Sequence, residues 1–279
     1  MKKFLAYINI LRPFNFLLAF LSIYAAIIIS NENMLGNAVT FYGSLAGAIV
    51  GGAGMVINDL FDYKIDLINK PNRPIPSGLI SKKAALFYYI FLNLAAILLA
   101  LQTNSIAFLI VIFSIFVTFI YSYKLKSTVL LGNFVVSFMM GLAFIYGGVI
   151  GGNLEPMLFP FVMATLMNFA REILKGVEDL EGDRANNIVT LPIAYGIDKS
   201  IILANVILAI TIITTVIPYI FQVYNIYYLI VIMLGFNTFL LFVIFSSLKK
   251  KTRENLHFLN SLMKYIRLIG LIAIYIGVQ

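Results

Sequence analysis

Cysteine is absent from the 279 residues, which excludes a disulfide and any thiolate metal site. Histidine occurs once, as His257, so a multi-histidine metal centre is excluded too. Charge is scarce. Asp, Glu, Lys and Arg make up 11% of the chain, against roughly 25% in a typical soluble domain. With 61% hydrophobic residues, so little charge indicates a polytopic membrane protein. The length accommodates about nine spans of ~20 residues with their connecting loops. Met1-Lys2-Lys3 and the apolar run after it resemble a signal peptide. Arg12-Pro13 interrupts that run, and no small-residue cleavage site follows Phe14 to Ser30, so a retained first span is expected.

Hydrophobic runs predict an all-α architecture, with helices over 14–30, 39–58, 84–102, 106–122, 128–151, 156–174, 200–220, 226–247 and 260–278. Pro156 suits the first turn of its helix. In the last run, Lys264 and Arg267 fall in the first half, where long stems can snorkel to the interface. Nine spans place the N-terminus and alternate loops on one side, and all 20 Lys and Arg residues fall there. That asymmetry predicts a cytoplasmic N-terminus and an external C-terminus. It also accounts for the net charge of +8 without invoking nucleic acid. Ten of the twelve acidic residues share the basic side, Glu32 and Glu155 being the exceptions. The positive-inside rule says little about acids, so these need a reason of their own.

The acids cluster twice. Asn58-Asp59-Leu60-Phe61-Asp62-Tyr63-Lys64-Ile65-Asp66 follows the second run, and Glu178-Asp179-Leu180-Glu181-Gly182-Asp183 follows the sixth. Asp59 and Asp179 are 120 residues apart, and Asn15 and Asn133 are 118 apart. Four spans separate the members of each pair. The expectation is therefore a single domain over 1–279, with repeat halves of about 1–125 and 126–248 and a ninth helix at about 260–278. Parallel repeats of this kind set equivalent features around one central cavity, here expected to open to the cytoplasm.

Asn58, Asp62 and Asp66 are spaced i, i+4, i+8 and share one helical face. Asp179 and Asp183 are again i, i+4, and Arg171 and Lys175 continue that series backwards. Packed carboxylates repel unless something positive lies between them. Mg2+ bridging a diphosphate fits, since it takes oxygen ligands from one or two carboxylates plus substrate phosphates. Asn58, Asp62, Asp66, Asp179 and Asp183 are the candidate metal ligands, with Asp59 as a further candidate. Of these, Asp62, Asp66, Asp179 and Asp183 are the candidate catalytic residues. Asp59 and Glu181 lie off the stripes and read as bystanders, and Glu178 fits either reading. Arg73, Lys124, Lys126, Arg171 and Lys175 are candidate phosphate-binding groups. Asn15, Asn133 and Asn168 are amides in or near spans, read as substrate-positioning groups or as helix-packing hydrogen bonds. Tyr123 and Tyr195 suit an interfacial aromatic belt.

The first cluster continues as Asn69-Lys70-Pro71-Asn72-Arg73-Pro74-Ile75-Pro76-Ser77-Gly78. The second is preceded by Arg171-Glu172-Ile173-Leu174-Lys175-Gly176-Val177 and followed by Thr190-Leu191-Pro192 with Gly196. Together with the opening Leu11-Arg12-Pro13-Phe14-Asn15, these motifs are similar to the signatures of UbiA-type intramembrane prenyltransferases, over essentially the whole chain. The resemblance implies nine helices around a cavity, Mg2+ dependence, a polyprenyl diphosphate donor and a lipid acceptor in the bilayer. By matching motif positions, it implies the metal-binding roles given above. Within the family, the two signatures most resemble the branch that forms the second ether bond of archaeal lipids. That branch transfers geranylgeranyl from geranylgeranyl diphosphate to geranylgeranylglyceryl phosphate. Two alternatives stay open: an aromatic prenyltransferase acting on a quinone, chlorophyll or haem precursor, and, more distantly, a cation-coupled transporter. Nothing in the sequence points to nucleic acid or to an obligate protein partner.

Overall fold

A computed structural model describes residues 2–185 and 189–278, with the side chain of Asn69 outside the description. All regular structure among the described residues is helical, and nine helices there are long and apolar enough to cross a membrane. The chain forms two compact units. One comprises Met1–Lys126 with Ala143–Leu154, the other Ser127–Leu142 with Glu155–Gln279.

The first unit holds α1 (Lys2–Ile10), α2 (Pro13–Ser30), α3 (Ala38–Phe61), α4 (Tyr63–Asn69), α5 (Lys82–Ala100), α6 (Ser105–Tyr123) and the later part of α7 (Leu131–Gly151). Polar caps start several of these helices. Asn37, Ser81 and Asn104 accept from the backbone N–H groups of Val39, Ala84 and Ala107 at 2.9, 3.2 and 2.9 Å. The centre of the unit is α3, which packs on α2, α5 and α6. In lipid, helices associate by close packing and small residues rather than by a hydrophobic driving force. A Cβ on Gly151 would lie 2.8 Å from the carbonyl oxygen of Ile27, so only glycine permits that approach of α7 to α2. Ser30 ties the same crossing, its Oγ donating to the carbonyl of Asn153 at 2.7 Å.

The second unit holds the earlier part of α7, then α8 (Glu155–Glu178), α9 (Leu180–Ala185), α10 (Leu191–Tyr195), α11 (Ile197–Thr214), α12 (Ile217–Ile220), α13 (Ile226–Val231), α14 (Thr238–Lys249) and α15 (Arg253–Val278). A π-helical segment, Ile232–Asn237, joins α13 to α14. The centre is α8, packed on α11 and α15. Pro160 sits inside α8. Its missing N–H deprives the carbonyl four residues back of a donor, and the Tyr224 hydroxyl donates to that Pro156 oxygen instead. The predicted last span begins at 260, whereas α15 begins at Arg253. Leu256, Leu259, Met263 and Ile266 are buried at helical spacing, so the packing face starts well before the purely apolar part of the run. Arg267 does not snorkel to an end of α15. It hydrogen-bonds Asn168 of α8.

Candidate active site

The first acidic segment lies where α3 hands over to α4. Asp62 is the junction, with φ −75° and ψ 0°, yet the i, i+4 ladder runs through it. Asp62 N–H donates to the Asn58 carbonyl at 2.9 Å, and Asp66 N–H to that of Asp62 at 2.8 Å. The predicted stripe is therefore kept across the break. Asp59, Asp62 and Asp66 are only 2%, 7% and 3% exposed. Carboxylates buried to that degree need compensation, because removing each from water costs several kcal/mol.

Three cations supply it. Arg73 Nη1 reaches Asp66 Oδ2 at 2.5 Å and Asp59 Oδ1 at 3.1 Å. Arg12 Nη2 donates to Asp59 Oδ1 at 3.0 Å. Lys126 pairs with Asp62 Oδ2, which also accepts from Asn58 Nδ2 at 2.9 Å. Asp59, read as a bystander, is thus the most buried of the three and joins two arginines. Arg12 was not among the predicted site residues. Its motif was visible in the sequence, but its reach across 47 positions was not. Its backbone is left-handed, at φ 53°, a conformation that costs a non-glycine residue roughly 1–2 kcal/mol, and its side chain is held by Asp59.

The loop that presents Arg73 is fastened from below. Ile75 and Ile80 are 2% and 1% exposed and pack with Ala6, Ile10, Ala53, Val56 and Ile57. Ser77 N–H donates to the Arg73 carbonyl at 2.9 Å, and Gly78 turns the chain at φ 76°, where glycine carries no Cβ penalty. Lys82 Nζ lies 3.6 Å from the centre of the Tyr63 ring, a cation–π contact that pins α4 to the start of α5. Lys124 is exposed at the end of α6, and Asn15 is half-buried in the first turn of α2.

In the second unit the ladder also continues past the end of α8. Asp179 N–H donates to the Lys175 carbonyl at 2.9 Å, and Asp183 N–H to that of Asp179 at 3.0 Å. Both acids are half-buried, as is Asn133. Glu178 has two partners: His257 Nδ1 lies 2.7 Å from Oε1 and Asn260 Nδ2 donates to Oε2 at 2.7 Å. It fastens α8 to α15. Glu181 is exposed. Arg171 donates to the Asn260 carbonyl at 3.2 Å and pairs with Glu172 at 2.9 Å. Lys175 reaches Glu172 at 3.6 Å. Asn168 is buried, donating to the Ala164 carbonyl at 2.8 Å and accepting from Arg267. Glu172, Asn260 and Arg267 lie outside the predicted set: Asn260 and Arg267 act through partners far off in sequence, and Glu172 pairs with its own helix neighbours Arg171 and Lys175. Thr190 precedes α10, whose Leu191 and Pro192 are buried, and Gly196 ends it at φ 90°.

Among the described residues, no group of three or more His, Asp or Glu side chains is arranged to hold a metal as it stands. The chemistry of the donors nevertheless suits one ion class. Carboxylate and amide oxygens, with no sulfur and no imidazole in either segment, match a hard dication such as Mg2+.

Residues 19–265 match the model of the UbiA prenyltransferase family. The digeranylgeranylglyceryl phosphate synthase of Methanosphaera stadtmanae is 36% identical over 271 residues, covering 97% of this chain and 98% of that protein. The protein of the same name from Methanobrevibacter smithii is 44% identical over 207 residues, covering 71% and 72%. A solved structure concerning digeranylgeranylglyceryl phosphate synthase in membranes superposes with a TM-score of 0.83, at 31% identity, over 100% of this chain and 99% of that one. A UbiA homolog from Archaeoglobus fulgidus, bound to DMAPP and Mg2+, shares the fold with a TM-score of 0.73 at 20% identity, over 95% and 98%. With its family signature spanning most of its length and near-full-length relatives above 30% identity, this multi-pass membrane protein belongs to the UbiA prenyltransferase family.

Proposed function

We propose that this protein transfers a geranylgeranyl group from geranylgeranyl diphosphate to the free hydroxyl of geranylgeranylglyceryl phosphate, forming the second ether bond of an archaeal membrane lipid. The observation that carries this reading is the 36% identity to a synthase of that name over almost the whole of both chains. In the reaction the C1–oxygen bond of the donor breaks and the acceptor hydroxyl oxygen bonds to C1. The hydroxyl proton is released with diphosphate.

Asn58, Asp62 and Asp66 in the first unit, and Asp179 and Asp183 in the second, are the proposed oxygen donors for Mg2+. Mg2+ held by such donors would neutralise charge developing on the leaving diphosphate, the kind of electrostatic assistance that usually dominates such catalysis. Arg73 and Lys126, which neutralise Asp66 and Asp62 in this structure, turn to phosphate oxygens once the carboxylates have other partners. Arg offers a bidentate fork for this and Lys a point charge. Lys124, Arg171 and Lys175 complete the proposed phosphate-binding set, and Asn15, Asn133 and Asn168 position substrate. On the positive-inside asymmetry, the N-terminus and both acidic segments lie on the cytoplasmic side and the C-terminus outside.

The test is a product assay on purified protein in detergent with Mg2+. Geranylgeranyl diphosphate is offered with geranylgeranylglyceryl phosphate in one tube and with 4-hydroxybenzoate in another. A diether phosphate by mass, lost with EDTA and with Asp62→Ala, is expected. A prenylated aromatic product alone would move the protein to the quinone branch.

A further inference from the structure

A polar stripe runs down the contact between α8 and α15. On α15 it is His257, Asn260, Lys264 and Arg267, at helical spacing, and on α8 it is Asn168, Arg171, Glu172, Lys175 and Glu178. Near the helix ends its charges are matched, since Glu178 holds both His257 and Asn260. Deeper in, among the described residues, cations outnumber carboxylates. Arg171, Lys175 and Arg267 share one carboxylate, Glu172, and Arg171 and Glu172 both lie within electrostatic range of Arg267. Arg267 stands 14 residues into α15, or about 21 Å along the helix at 1.5 Å per residue. A buried cation in a membrane span that shares its carboxylate with two other cations is expensive and marks a candidate functional site. One guanidinium nitrogen is held by Asn168, while Nε is buried and has no hydrogen-bond partner. A buried donor without a partner costs on the order of 1–3 kcal/mol.

We infer that Arg267, with Arg171, Lys175 and Asn168, forms a binding site for a phosphate group, and that the group is the phosphate monoester of the lipid acceptor. A phosphate there answers both anomalies, supplying negative charge to three cations and an acceptor to Nε. A guanidinium presenting Nε and a terminal N–H is the fork that phosphate oxygens take bidentately. The assignment to the acceptor rests on the proposed reaction. That reaction has two phosphate-bearing substrates, and Arg73 and Lys126, paired with the first acidic segment, already suit the donor's diphosphate. Recognition of the monoester would then separate this enzyme from relatives whose acceptors carry no phosphate.

The experiment compares wild type, Arg267→Gln, Arg267→Lys and Lys175→Gln, the last at a side chain 43% exposed that leaves the helix contact intact. Initial rates are measured against each substrate in turn, and against the acceptor lacking its phosphate. Loss of a charged bidentate contact predicts an acceptor KM about 10- to 100-fold higher for Arg267→Gln, with donor KM unchanged. The preference for phosphorylated acceptor should collapse, Arg267→Lys should restore part of it, and Lys175→Gln should show a smaller rise. A change confined to donor KM, or an equal fall on both acceptors, overturns the assignment. A second arm needs no turnover: the thermal midpoint in detergent is read with dioleoyl phosphatidate and with dioleoylglycerol. Stabilisation of wild type by phosphatidate alone, absent in Arg267→Gln, supports the site even if the proposed reaction fails. Equal shifts from both lipids overturn it.

Discussion

Asp59 shows how a single side chain changes meaning once its surroundings are known. Off the i, i+4 stripe, it reads as a spectator in sequence. In the fold it is the most buried carboxylate of its segment, and two arginines converge on one of its oxygens. Breaking a buried ion pair by removing one partner typically costs about 3–5 kcal/mol, because the remaining charges lose compensation. Asp59→Ala is therefore expected to lower stability by about that amount, read as the shift in chemical or thermal unfolding of the detergent-solubilised protein. An unchanged midpoint would mean that Arg12 and Arg73 find other partners at no cost. The register of Asn58, Asp62 and Asp66, and of Asp179 and Asp183, was legible because a helix repeats itself locally. Arg12 and Arg267 were not, because their partners, Asp59 and Asn168, lie on other elements.

Among the elements, α8 carries the most consequential local choice. A proline inside a membrane helix is tolerated only where something re-satisfies the freed carbonyl. Tyr224 does so for Pro156. Tyr224→Phe keeps the ring and deletes the donor, so it should destabilise the protein by about 1–3 kcal/mol through an orphaned buried carbonyl. Thermal unfolding in detergent measures this, and a neutral result would show that the carbonyl has a substitute donor. The start of α15 illustrates what hydropathy hides. Charged residues from Lys249 to Glu254 mask a packing stripe that already begins at Leu256. An apolar-run criterion starts the helix late, whereas the 3.6-residue period starts it on time.

For the molecule as a whole, the sorting of all Lys and Arg residues predicts which loops face which compartment. The cysteine-free sequence makes this directly measurable. Asn33→Cys and Ser77→Cys place single thiols at exposed positions on loops expected on opposite sides. In intact cells an impermeant maleimide should modify Cys at 33, and Cys at 77 only after the membrane is opened. The reverse pattern would invert the proposed orientation. One local pairing also reaches into the history of the chain. Pro160 and Tyr224 are 64 positions apart, yet the proline decides whether replacing the tyrosine matters. With alanine at 160 the helix supplies its own N–H to Pro156, and Tyr224→Phe becomes nearly free. With proline in place the same change is penalised. Descendants can therefore shed the pair without that penalty only by losing proline first and tyrosine second, a sign of historical contingency that a double-mutant cycle would expose as non-additivity.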